Sequence, residues 1–270
     1  MKKFSALYIA LILTFLFAPI AVLIVFSFNS GDGVFVFEGF SFDFRWYKEL
    51  FKNEQILDAL KNSLILAVSS AAVSTVVGTA AAFGIYHMKK KWTKNAVMSA
   101  TNIPMMNPDI VTGMSMMLFF VAVAGILNIE YESIGFTAML IAHTTFCLPY
   151  VILSVLPRVE DLGSSLTEAA LDLGCTPFQS FFKVELPNIL PGVISGFTMA
   201  FTLSLDDFVI SYFVGSSNFQ TLPLLIYSMT KKKVTPDMYA LSTLIIVTVF
   251  LFLVVSNVKS GKNRRKEVKK

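Results

Sequence analysis

The sequence predicts an all-α integral membrane protein with six transmembrane helices and both termini in the cytoplasm. Three observations carry this. The 270 residues are 55% hydrophobic, with 26 Phe and a mean hydropathy of +0.68, well outside the range of soluble domains. Apolar runs of the roughly 20 residues needed to cross a ~30 Å hydrocarbon core recur along the chain, and no alternating ten-residue segments suggest a barrel. Most of the 22 Lys and Arg fall on one side of these runs: Lys2, Lys3, Lys89, Lys90, Lys91, Lys94, Arg158, Lys183 and the tail after Val258. The other side holds Arg45, Lys48, Lys52, Lys61 and Lys231 to Lys233. Basic residues are retained on the cytoplasmic face, so the net charge of +4 is a record of topology and implies no nucleic acid.

The first span, 6–28, follows Met1-Lys2-Lys3. It is longer than a signal-peptide core and lacks a small-x-small cleavage site, so it reads as an uncleaved anchor. An external segment, 29–61, opens with Gly31, Gly33 and Gly39. Its Trp46 and Tyr47 suit an interfacial belt, and Trp46 to Leu60 forms an amphipathic helix along the outer surface. The second span, 62–86, leads to an inner interface marked by Lys89 to Lys94 with Trp92. The third span, 104–127, begins with Pro104 and Pro108, which break or kink it beside Asp109. If the span starts near Ala96, Asp109 lies about 20 Å along it. If it starts at Ile110, Asp109 is a helix N-terminal charge.

The fourth span, 134–156, carries His143 and Cys147 one helical turn apart, with Pro149 as a kink. No motif supplies further metal ligands, so His143 is expected to hydrogen-bond across the bundle. Cys147 and Cys175 make no disulfide framework. The fifth span, 188–213, has Gly192 and Gly196 on a small-residue face for tight helix contact. About 27 Å from its cytoplasmic end come Asp206 and Asp207. Acids within a membrane face a cavity, a partner or a cation. Successive helical residues point about 100° apart, which assigns Asp207 to a pathway and Asp206 to local hydrogen bonding or a subunit contact. The alternative is that Ser204 and the acids cap a restarted helix. Phe208, Tyr212 and Phe213 follow, and ring faces beside carboxylates suit an organic ammonium. The sixth span, 238–258, leads into a basic cytoplasmic tail, 259–270.

Between the fourth and fifth spans lies a polar cytoplasmic island, 158–187. Ser164 or Ser165 caps a short helix that Gly174 stops. Thr176 then caps a second helix, with Pro177 at its first position and Pro187 at its end. Glu168, Ala169, Ala170, Gly174, Val184, Leu186 and Pro187 fall on the Glu-Ala-Ala, x3, Gly, x9, Ile-x-Leu-Pro spacing, with Val for Ile. The island therefore resembles the EAA loop of ABC-importer permeases. Asn107 to Val111, Thr145 to Tyr150, Phe201 to Val209 and Leu222 to Met229 extend the resemblance to the permeases of spermidine/putrescine importers, over nearly the whole chain.

That resemblance implies a single type I ABC importer permease domain in the bacterial inner membrane. It implies a second, different permease, a dimer of ATPase subunits and an external polyamine-binding protein as partners. Asp109, Asp206, Asp207, Phe208 and Tyr212 would then line the polyamine route. Glu168, Ala169, Ala170, Gly174, Leu186 and Pro187 would couple to the ATPase. No G-x-x-x-x-G-K-[ST] loop occurs, so ATP and Mg are expected at the ATPase and no cofactor on this chain. Only His87 and His143 are available as imidazole bases and no nucleophile–base constellation appears, so no catalytic residue is assigned.

Overall fold

The structure is a computed structural model that describes residues 2–29, 41–163, 165–232 and 237–247. It is helical, and the described residues contain no strand beyond two isolated bridges. The chain divides into two compact units, 1–57 with 226–270, and 58–225.

In the first unit, α1 (Lys2–Phe26) is one apolar helix that carries Pro19 within it. α2 (Arg45–Leu50) is short, and its side chains anchor the stretch that follows α1. Trp46 Nε1 donates to the Asn29 carbonyl at 2.7 Å, the Arg45 guanidinium lies 5.1 Å from the Trp46 ring centroid, and Tyr47 Oη is 2.7 Å from Ser27 Oγ. Trp46 is thus buried, which corrects the expected interfacial role. Its indole finds both a carbonyl and an apolar seat inside the unit. Phe28, Phe42 and Phe44 form a ring cluster that packs on Tyr47. The surface helix expected over Trp46 to Leu60 is also corrected. The chain turns at Phe51 and Lys52, and α3 (Glu54–Tyr86) starts at Glu54 as one 33-residue helix. Asn53 explains the restart, because its Oδ1 accepts from the Ile56 amide at 3.4 Å, the contact of a capping residue.

The second unit holds the main core. α4 (Lys91–Met106) and α5 (Asp109–Leu127) are separated at Asn107 and Pro108. Asn107 is extended, at φ −78° and ψ 142°, as the ring of the following proline demands. Asn128 closes α5 in the left-handed region, and a 3-10 turn, Tyr131–Ile134, leads into α6 (Gly135–Leu162). Then come α7 (Ser165–Asp172), α8 (Pro177–Ser180), a π-helical turn (Phe181–Glu185), α9 (Leu186–Asp206), α10 (Val209–Val214) and α11 (Leu222–Lys232). α6 packs chiefly on α9, burying Cys147, Val151, Val155, Ile189 and Ala200 completely. The small-residue face sets that approach. A Cβ on Gly192 would lie 2.8 Å from the Ser154 carbonyl oxygen, and one on Gly196 3.3 Å from Val151 Cα.

Five helical segments are long and apolar enough to cross a membrane: Leu7–Phe26, Glu54–Tyr86, Asp109–Leu127, Tyr131–Leu162 and Pro177–Asp206. They match the first five expected spans. The sixth is described only over α12 (Asp237–Val247), in the first unit, where Tyr239 lies 6.4 Å from Phe26 between ring centroids. The rest of the sixth span, the basic tail, and residues 30–40 of the external segment lie outside the described residues.

Candidate functional site

The acid pair sits where the fifth span breaks. α9 ends at Asp206, and Asp207 takes an extended conformation before α10 begins. A restarted helix presents free N–H groups, and the carboxylate beside them is Asp207. Its Oδ2 accepts from the Ser211 amide at 2.8 Å and its Oδ1 from the Ile210 amide at 3.2 Å. Asp207 Oδ2 also lies 3.5 Å from His143 Nε2, with the two side chains 7% and 0% exposed.

His143 in turn joins two hydroxyls directly and a third through Ser204. Nδ1 is 2.8 Å from Ser204 Oγ and Nε2 is 3.2 Å from Ser211 Oγ, while Ser70 donates to Ser204 at 2.8 Å. The imidazole does bond across the bundle, tying α3, α6, α9 and α10 together at one polar knot. Buried polar groups this closely paired act as a unit.

The knot gives Asp207 the local hydrogen bonding expected of Asp206, in the restarted-helix setting that the sequence kept as an alternative. Asp207 is turned inward on backbone amides, whereas Asp206 is exposed. The helix break is the reason: the acid after the break faces the new N-terminus, and the acid before it keeps the outward direction of α9. Phe208 is half-buried and Tyr212 exposed, their ring centroids 5.6 Å apart. Asp109 opens α5, also exposed, behind Pro108; of its two expected settings, the helix N-terminus is the one found. Among the described residues it makes no ion pair or hydrogen bond with Asp206 or Asp207. A groove of about 170 Å³ runs along the α4–α5 break, lined by Pro104, Asn107, Thr112, Ser115, Thr145 and Phe146 among others.

The island forms the second constellation. α7 begins at Ser165, and Ser164 lies outside the described residues. Glu168 is exposed in the first turn and Ala169 is exposed on α7, while Ala170 is buried. Gly174, at φ +87°, closes the helix. Its amide donates to the Leu171 carbonyl at 2.9 Å, and the Cys175 amide to Ala170 at 3.0 Å, the paired bonds of a Schellman stop. Thr176 and Gln179 form a reciprocal capping box with Pro177 at the helix start, as the spacing implied.

Pro187 does not end this second helix, a correction to the sequence expectation. The backbone widens into the π turn, in which the Leu186 amide donates to the Phe181 carbonyl, and Pro187 enters α9 at its first turn. A proline ring clashes with the carbonyl four residues back in a regular helix, and the wider turn relieves this. Leu186 is half-buried there. Thr167 Oγ1 donates to Glu185 Oε1 at 2.9 Å, clamping α7 to the π turn.

Sequence reasoning missed the serines. Ser70 and Ser211 sit in apolar runs; the available signal was hydroxyls in the same apolar spans as a histidine. Glu185 was missed because it stands at the variable position of the spacing. Cys147 and Cys175 are both free.

Residues 74–260 match the family of binding-protein-dependent transport system inner membrane components. The chain is 40% identical, over 86% of its length and 82% of the relative's, to the putrescine transport system permease protein PotI of Escherichia coli (strain K12). It is 39% identical, over 92% and 93%, to the spermidine/putrescine transport system permease protein PotC of Haemophilus influenzae. A solved bacterial ABC transporter that imports the acidic polysaccharide alginate shares the fold, with a TM-score of 0.73 at 17% identity, covering 94% of this chain and 92% of that one. A non-catalytic, multi-pass protein of the bacterial inner membrane, the chain belongs to the binding-protein-dependent transport system inner membrane component family.

Proposed function

We propose that this chain is a permease subunit of an ATP-driven polyamine importer. One observation carries the substrate class: an exposed carboxylate, Asp206, precedes a helix break that also presents Phe208 and Tyr212. Carboxylates replace the hydration of an ammonium and ring faces attract it without binding it irreversibly. The relatives named for putrescine and spermidine/putrescine support the same reading.

In this reading Asp109, Asp206, Phe208 and Tyr212 line the route. Asp207 acts one step back, holding the break open with His143. The island, through Glu168, Ala169, Ala170, Gly174, Leu186 and Pro187, receives the ATPase. ATP and Mg bind there, on the partner, and no cofactor binds this chain. A different permease completes the pathway and an external binding protein delivers the polyamine. Closure of the ATPase dimer moves the island and opens the route to the outside.

Uptake of labelled putrescine and spermidine into cells carrying the intact importer tests this. Energy-dependent uptake is expected, falling about tenfold for Asp206→Asn at normal complex levels, a loss equal to about 1.4 kcal/mol. Uptake of neither amine by assembled wild-type complex overturns the substrate class and leaves a permease for another solute.

A further inference from the structure

A second cavity, of about 280 Å³, lies among Phe83, Tyr86 and His87 at the end of α3, Val159 and Leu162 of α6, and Thr167, Glu168 and Glu185 of the island. Glu185 is nine-tenths buried. Its described partner is the Thr167 hydroxyl, and no Lys, Arg or His among the described residues lies within ion-pair distance. A buried carboxylate without a cation is costly, and here it borders open space. The same space is walled by rings. Phe83 stacks near His87 at 6.4 Å, and Tyr86 meets His87 edge-on at 5.1 Å between centroids. Glu168 supplies a second, exposed carboxylate at the rim. The volume falls just below the roughly 300 to 1,000 Å³ of drug-sized sites, which suits a short alkyl chain.

We infer that this cavity is a binding site for a primary alkylammonium arriving from the cytoplasm, its charge on Glu185 and its methylenes against Phe83 and Tyr86. The buried carboxylate supplies the counter-charge, the rings supply cation–π attraction, and the Thr167 hydroxyl orients the acceptor. Occupancy bridges α3, α6 and the island, so bound amine stiffens the segment that the ATPase must move. The site thereby senses accumulated cargo on the arrival side and slows further import. The identity of the amine rests on the polyamine reading above; the site itself rests on the cavity.

The test uses the complete importer in inside-out vesicles, with putrescine added to the ATPase side and ATP hydrolysis read against sodium chloride of equal ionic strength. In each protein the measured quantity is the ratio of hydrolysis with and without amine. Millimolar putrescine is expected to slow the wild type several-fold, and Glu185→Gln to raise the half-inhibiting concentration about tenfold. Phe83→Leu, which keeps the carboxylate, should raise it about threefold. A wild type indifferent to putrescine, or identical curves for wild type and both variants, overturns the inference; indifference is also the outcome if an ATPase side chain fills the cavity. Uptake from the outer side, measured in right-side-out vesicles of the same importer, separates the two readings. Uptake without inhibition removes this site alone, and inhibition without uptake removes the polyamine function while the site stands.

Discussion

At the scale of single residues, the polar knot around His143 has the largest expected consequence. The imidazole is fully buried and satisfies Ser204 and Ser211 at once. Replacing it with Ala leaves Ser211 without its side-chain partner, takes one of two partners from Ser204 and removes the imidazole nitrogen 3.5 Å from Asp207. Each stranded buried group costs about 1 to 3 kcal/mol. His143→Ala should therefore lower the melting temperature of the purified complex by several degrees, and His143→Gln by less; equal melting for Ala and wild type would show that the knot stabilises nothing. Asp207→Asn keeps an oxygen for one amide and loses the charge facing the α10 N-terminus, at a cost of about 1 kcal/mol. Its uptake defect should persist in complexes of normal abundance, because the break itself shifts. The sequence showed that His143 would bond across the bundle but not to what, since its partners are 61 and 68 residues away. It left open whether the acids follow one continuous helix or cap a restarted one, because 100° steps apply only while a helix continues.

At the scale of elements, the caps of the island were legible and the chain beyond them was not. Thr176, Pro177 and Gly174 announce themselves through local chemistry that needs no tertiary contact. Pro187 announces a stop by the same logic, yet a π turn absorbs it; whether a helix ends or widens depends on what waits on the far side. Pro187→Ala restores an N–H that can bond the Lys183 carbonyl, so the widened turn should regularise and rotate the island relative to α9. ATP hydrolysis by the reconstituted importer should then continue while putrescine uptake falls; tightly coupled rates in the variant would show that the turn has no such role. Along the α6–α9 seam, Gly192→Val puts a side chain into the Ser154 carbonyl. A loss of about 1 to 3 kcal/mol is expected, visible as reduced thermal stability in detergent, with Gly84→Val as a control because nothing lies within 4 Å of a Cβ there.

At the scale of the whole molecule, burial is distributed unevenly. More than half of the most apolar window of the Tyr131–Leu162 segment is buried within the chain, against 6% for the window in α1. Lipid or a neighbouring subunit must cover α1, since its large apolar side chains from Leu7 to Phe17 are exposed. Produced without its partners, the chain should be degraded rapidly in cells, and co-production of the second permease should restore its level severalfold by immunoblot; equal abundance in both settings would mean that lipid alone suffices. Composition and charge made the membrane spans and their order readable, because hydrocarbon imposes length and polarity on every crossing. The continuity of α3 from Glu54 was only partly readable: a helix was expected up to Leu60, but nothing local says that it runs on into the second span.

α9 runs without interruption for 21 residues, about 30 Å, with the π turn at one end and the Asp206–Asp207 break at the other. Under the proposed function its two ends are the two places where chemistry from outside the chain is received. A hydrogen-bonded helix resists torsion, so in that reading it works as a drive shaft: a turn imposed on the cytoplasmic end arrives at the acids as a change of heading. No relay of side chains is required between them. Steering of the carboxylates is then set by the angle at which the shaft is gripped.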